Sequence, residues 1–138
     1  MDSADISTWR ILVVDDEPDN LELVAETLEF RGAEVTTAKN GKEALEILEE
    51  FETNLILTDL SMPVMDGWQL RARVKSDEKL SHIPIVAVSA HAIAGDQERA
   101  MEAGFDGYLT KPLSILTLVD DIRRELMTST PDDMETVS

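Results

Sequence analysis

The chain has 138 residues, 43% hydrophobic and 30% charged, which suits one soluble domain and argues against wholesale disorder. Its 29 acidic against 12 basic side chains give a formal charge of −17, a surface that repels phosphate backbones and anionic headgroups, so no nucleic-acid or membrane partner is expected. There is no cysteine, no apolar run near the roughly 20 residues of a membrane span, and an acidic N-terminus unlike a signal peptide, so a cytoplasmic protein is expected.

Arg10-Ile11-Leu12-Val13-Val14 is a continuous β-branched run, the pattern of a parallel strand covered on both faces. Pro18 behind Asp16-Glu17 opens a helix with the stripe Leu21, Val24, Ala25 and Leu28, which Gly32 stops. Residues 34–38 read as a second strand, and Asn40-Gly41 starts a second helix marked by Ala44, Ile47 and Leu48. Residues 54–58 form a third buried run. A loop through Pro63 and Asp66-Gly67 then leads to a helix over Trp68–Val74. Residues 84–88 make the fourth strand, with a helix from about Asp96 to Ala103 that ends at Gly104. A short fifth strand over 106–110 precedes a last helix over 114–127, with Ile115, Leu118, Val119, Ile122 and Leu126 on one side. Residues 1–8 and 128–138 lack such periodicity and are expected to be flexible tails around a domain spanning 9–127.

Five strand–helix units with short connections imply an α/β fold in three layers, a parallel sheet with helices on both faces and right-handed crossovers. In open parallel sheets the site lies outside the carboxyl ends of the strands. Asp15 and Asp16 follow the first strand and Asp59 the third. If the second strand lies outside the first, these three carboxylates share one crevice, where a proton or a hard divalent cation must relieve their repulsion. Ser89 follows the fourth strand and Lys111 the fifth, a hydroxyl and an ammonium suited to the oxygens of a phosphoryl group. Asp59 is the candidate nucleophile.

Asp15-Asp16, the run Thr58-Asp59-Leu60-Ser61-Met62-Pro63-Val64-Met65-Asp66-Gly67, Val88-Ser89-Ala90 and Tyr108-Leu109-Thr110-Lys111-Pro112 together resemble the receiver domain of two-component response regulators. The resemblance covers residues 9–127. It implies a flavodoxin-like (CheY-like) sheet of order 2-1-3-4-5 with five helices, and a stand-alone regulator in a phosphorelay. On that resemblance Asp59 is the phosphoacceptor. Mg²⁺ (or Mn²⁺) is held by Asp16, Asp59 and the backbone carbonyl of Ser61, with Asp15 acting through water.

The resemblance also implies that Lys111 pairs with the phosphoryl group and that the Lys111–Pro112 bond is cis. Ser89 swings to a phosphoryl oxygen, and Tyr108 then moves inward. Ser61 and His91 occupy positions that tune hydrolysis of the phospho-aspartate. The implied partners are a histidine kinase or histidine phosphotransfer domain, and an effector protein on the face built from residues 93–127. The implied assembly is a monomer or a weak phosphorylation-dependent dimer, and the implied catalysis is confined to the domain's own phosphorylation and dephosphorylation.

Other readings carry less of the pattern. Asp15-Asp16 and Ser89 suit helix caps when taken singly, and Asp66-Gly67 suits a turn better than a ligand. An aspartyl-nucleophile phosphatase of the haloacid-dehalogenase kind usually has a second aspartate two residues after the nucleophile, where this chain has Ser61. A pseudo-receiver that binds without phosphorylation would usually lack one of the aspartates or the lysine, and all are present here.

Overall fold

The computed structural model describes residues 6–90 and 95–128. The elements alternate strictly: β1 (Arg10–Val14), α1 (Pro18–Phe30), β2 (Glu34–Ala38), α2 (Gly41–Glu50), β3 (Leu55–Asp59), α3 (Gly67–Ser76), β4 (Ile85–Ser89), α4 (Asp96–Ala103), β5 (Gly107–Thr110) and α5 (Leu118–Thr128). The strands form one parallel sheet in the order β2-β1-β3-β4-β5. This is the flavodoxin-like topology that the sequence motifs imply.

Successive strand residues face opposite sides, so each strand feeds two cores. Leu12, Val14, Ile56, Ile85, Ala87 and Tyr108 pack toward α2, α3 and α4. Ile11, Val13, Leu57, Val86, Val88 and Leu109 pack with Leu21 and Leu28 of α1 and with Leu118, Val119 and Ile122 of α5. The central strands β3 and β4 are buried along their whole length, which accounts for their unbroken apolar runs.

Two expectations need correction. Ile6, assigned to the flexible N-terminal tail of residues 1–8, is fully buried in the core beneath α1 and α5, and its carbonyl accepts a bond from the Trp9 N–H at 3.0 Å. Trp9 in turn stacks under Arg123 of α5, with the guanidinium 4.9 Å from the ring centroid. The packed chain therefore starts earlier than strand periodicity alone indicates. The last helix begins at Leu118 and not at residue 114. Its backbone ladder opens with Asp121 N–H on the Thr117 carbonyl at 2.8 Å, and the Thr117 hydroxyl binds the Asp121 carboxylate at 2.9 Å. Ile115 and Leu116 precede that start and stand exposed, so Ile115 is not on the buried stripe.

Shorter features place the loops. Asp66 caps α3, taking the Gln69 N–H at 2.9 Å while the Gln69 side chain accepts from the Asp66 N–H at 3.0 Å. Gly67 passes so close to the end of β3 that a Cβ there would overlap the Asp59 carbonyl oxygen. Asp66-Gly67 is thus turn and cap chemistry. Between them and β3, Val64 has φ 71, and the Met65 N–H bonds the Pro63 carbonyl at 2.8 Å, a γ-turn in the positive-φ region.

Candidate functional site

β1 and β3 are adjacent because β2 lies outside β1, and this brings the Asp15-Asp16 pair and Asp59 to one end of the sheet. One carboxylate oxygen from each of Asp15, Asp16 and Asp59 lies within 4.8 Å of the others. Asp15 and Asp59 are buried and Asp16 is exposed. Asp59 is the last residue of β3 and Ser89 the last of β4, each one position inside the strand rather than beyond it.

Lys111 completes the group from beyond β5. Its ammonium lies 2.9 Å from Asp59 Oδ2 and 3.0 Å from Asp15 Oδ2, with the stem largely buried. Burial alone would lower its pKa. The hydrogen bonds and charges of Asp59 and Asp15 outweigh that, and the ammonium holds its proton above the ordinary lysine value. The remaining Asp59 oxygen accepts the Ser61 N–H at 3.3 Å. Asp15 Oδ1 accepts the Glu17 N–H at 2.9 Å, so this residue organises the start of α1 while its other oxygen faces the lysine. The Lys111–Pro112 peptide bond is cis.

Ser89 sits on the α4 side of the sheet, as does Tyr108, whose neighbour across the strand pair is Ala87. Tyr108 is buried, and its hydroxyl donates to Asp96 Oδ2 at 2.8 Å. The Ser89 hydroxyl reaches the same oxygen at 3.3 Å. The other Asp96 oxygen pairs with Arg99 at 2.8 Å. The Tyr108 hydrogen bond does most to hold the Asp96 carboxyl below the usual range; burial opposes it, and Arg99 and Ser89 assist. Burial is the main cause of a raised Tyr108 pKa; a hydrogen bond with Ser89 opposes it, and the hydrogen bond and charge of Asp96 add to it.

The strand-end residues Asp15, Asp16, Asp59 and Lys111 are thus gathered at one point. Ser89 and Ser61 line a neighbouring cleft with Leu60, Met62, Trp68 and Asp96. His91 lies outside the described residues. Sequence reasoning missed Asp96, which it read only as the start of a helix. Its signal was an acid placed directly after Gly95, seven residues beyond Ser89.

A parallel sheet that carries an acid cluster and a lysine at its carboxyl ends is the frame of a receiver domain. The chain matches the family described as Response regulator receiver domain over residues 11–123, and it belongs to that family. It is 34% identical over 119 residues to the polar-differentiation response regulator DivK of Brucella ovis, which covers 86% of this chain and 97% of DivK. It is 42% identical over 127 residues to an uncharacterized 14.6 kDa protein of Leptolyngbya boryana, covering 92% of this chain and 97% of that one. Among solved structures, chemotaxis response regulator CheY4 of Vibrio cholerae superposes with a TM-score of 0.79 at 30% identity, over 86% of this chain and 98% of CheY4. Among the described residues, no helix is long and apolar enough to cross a membrane.

Proposed function

We propose that this receiver accepts a phosphoryl group on Asp59 from a phosphohistidine and thereby switches protein–protein contacts in a cytoplasmic phosphorelay. The observation that carries the reading is the double pairing of Lys111 with Asp59 and Asp15 inside the acid cluster. Such a pairing sets a cation beside Asp59 and beside the oxygens of an incoming phosphoryl group.

The donor set fits a hard divalent cation. It consists of carboxylate oxygens, one of them on the exposed Asp16, which leaves room for the waters that Mg²⁺ retains. Asp15, Asp16, Asp59 and the Ser61 carbonyl would hold it. Bound there, Mg²⁺ would neutralise charge on the transferring oxygens. The chain's own contribution is positional. The Asp59 carboxylate is held by Lys111 on Oδ2 and by the Ser61 N–H on Oδ1, and Lys111 then shifts its hydrogen bond to the new phosphoryl group. Ser89 supplies a hydroxyl to another oxygen, and Ser61 shapes the approach of hydrolytic water.

A groove of about 270 Å³ between α1 and the loop before α5 opens beside Lys111, lined by Leu23, Val24, Thr27, Pro112 and Ile115. This apolar floor suits the helix of a histidine kinase or phosphotransfer domain that delivers the phosphoryl group. An effector would read the face of α4, β5 and α5.

Acetyl phosphate with Mg²⁺ should add one phosphate by intact mass, and EDTA or Asp59→Asn should abolish it. Beryllofluoride binding reports the site even if the phosphoryl group is short-lived. A protein that takes neither phosphate nor beryllofluoride would be a binding module without phosphoryl chemistry.

A further inference from the structure

Three hydrogen-bonding groups converge on one buried carboxylate away from the phosphoacceptor. Asp96 Oδ2 takes the Tyr108 hydroxyl at 2.8 Å and the Ser89 hydroxyl at 3.3 Å, while Oδ1 is tied to Arg99. The first distance is normal for O–H···O and the second is long, so Tyr108 is the firmly held partner and Ser89 the loosely held one. A serine hydroxyl has a single proton to donate. The Ser89 hydroxyl also hydrogen-bonds Tyr108, and the one proton it shares between Asp96 and Tyr108 is the same one a phosphoryl oxygen on Asp59 would need.

We infer that Asp96 is a positioning residue of the switch: it competes with the phosphoryl group for the Ser89 proton and pins Tyr108 in the core. This rests on the phosphoacceptor reading of Asp59. Phosphorylation then withdraws Ser89 from Asp96, while the ring of Tyr108 stays in place. Asp96 is the first residue of α4, so the change in its hydrogen bonds is delivered at the start of that helix. The signal passes through a carboxylate whose set of partners changes, and rotation of an aromatic ring is not required. Ligand binding biases such an element only through contacts that differ between its two states, and the Ser89 hydrogen bond is one that differs.

The test is a double-mutant cycle on the full chain, read by Mg²⁺–beryllofluoride affinity in wild type, Asp96→Ala, Ser89→Ala and the double variant. Freeing the Ser89 proton should tighten binding roughly threefold to tenfold in Asp96→Ala, the range for one hydrogen bond. The double variant should bind no more tightly than Ser89→Ala. The chain has one tyrosine, so a sample labelled with ¹³Cζ-tyrosine gives a single resonance for Tyr108. That signal should move more in Asp96→Ala, which loses the 2.8 Å acceptor of the hydroxyl, than when beryllofluoride is added to wild type. Should Asp96→Ala fold poorly, the near-isosteric Asp96→Asn should show a smaller tightening in the same direction.

Unchanged or weaker affinity in both Asp96 variants, or the same tightening with and without Ser89, would overturn the competition. A tyrosine shift on adding beryllofluoride to wild type as large as that in Asp96→Ala would overturn the fixed ring. Wild type that binds no beryllofluoride would remove the phosphoacceptor reading and the latch with it, and that outcome is visible before any variant is made.

Discussion

Lys111 and Asp59 stand 52 positions apart in the chain and 2.9 Å apart in the structure, and the lysine reaches Asp15 from the same place. One ammonium therefore neutralises part of a three-carboxylate cluster, and its removal leaves like charges facing one another in a poorly solvated crevice. Lys111→Ala should lower stability by roughly 1–3 kcal/mol without Mg²⁺, less than the 3–5 kcal/mol of a fully buried pair because Asp16 keeps the cluster open to water. Added Mg²⁺ should restore much of that loss. Urea unfolding of both proteins with and without Mg²⁺ measures it.

The raised pKa values of Lys111 and Tyr108 make a prediction at alkaline pH. Both groups hold their protons more tightly in the folded chain than in an unfolded one. The folded state consequently binds more protons once pH passes roughly 10, and stability fully present below that value falls as pH rises through the folded pKa values. Urea midpoints between pH 8 and about 11.5 should decline. Tyr108→Phe, which has no phenolic proton to lose, should decline less steeply.

Gly67 is required by contact, not by its dihedral angles. A Cβ at this position would meet the Asp59 carbonyl oxygen and the Leu60 Cα, both backbone atoms that cannot swing aside. Gly67→Ala should therefore cost about 2–3 kcal/mol as overpacking. It should also slow acetyl-phosphate labelling by displacing the carboxylate at the end of β3. A thermal melt beside a labelling time course separates the two effects: a melt like that of wild type would show that the loop relaxes freely.

Val64 presents the reverse case. The residue is 75% exposed and its φ is 71, a region that β-branched residues avoid. Val64→Gly should relieve roughly 1–3 kcal/mol of backbone strain, offset by about 1 kcal/mol from the freer unfolded glycine. The net expectation is unchanged to modestly higher stability in urea. A clear loss would mean that the Val64 side chain makes contacts that outweigh the strain.

Much of the fold was legible because its determinants are local. The apolar runs at 11–14 and 85–88, the helical stripe through Leu21 and Leu28, and the turn chemistry at Asn40-Gly41 and Asp66-Gly67 are each set by neighbouring residues. Alternating strands and helices admit few topologies, and in a parallel sheet the strand ends must carry the site. Asp59, Ser89 and Lys111 could be placed at those ends from the sequence alone.

Tertiary structure decided what depends on distant partners. The full burial of Ile6 under α1 and α5, the lysine shared between Asp15 and Asp59, and the convergence of Ser89 and Tyr108 on Asp96 have no local signature. In each case the deciding contact joins residues brought together by strand register and helix packing. The period of a sequence records which face a residue occupies, and only the packed sheet determines which side chain it meets there.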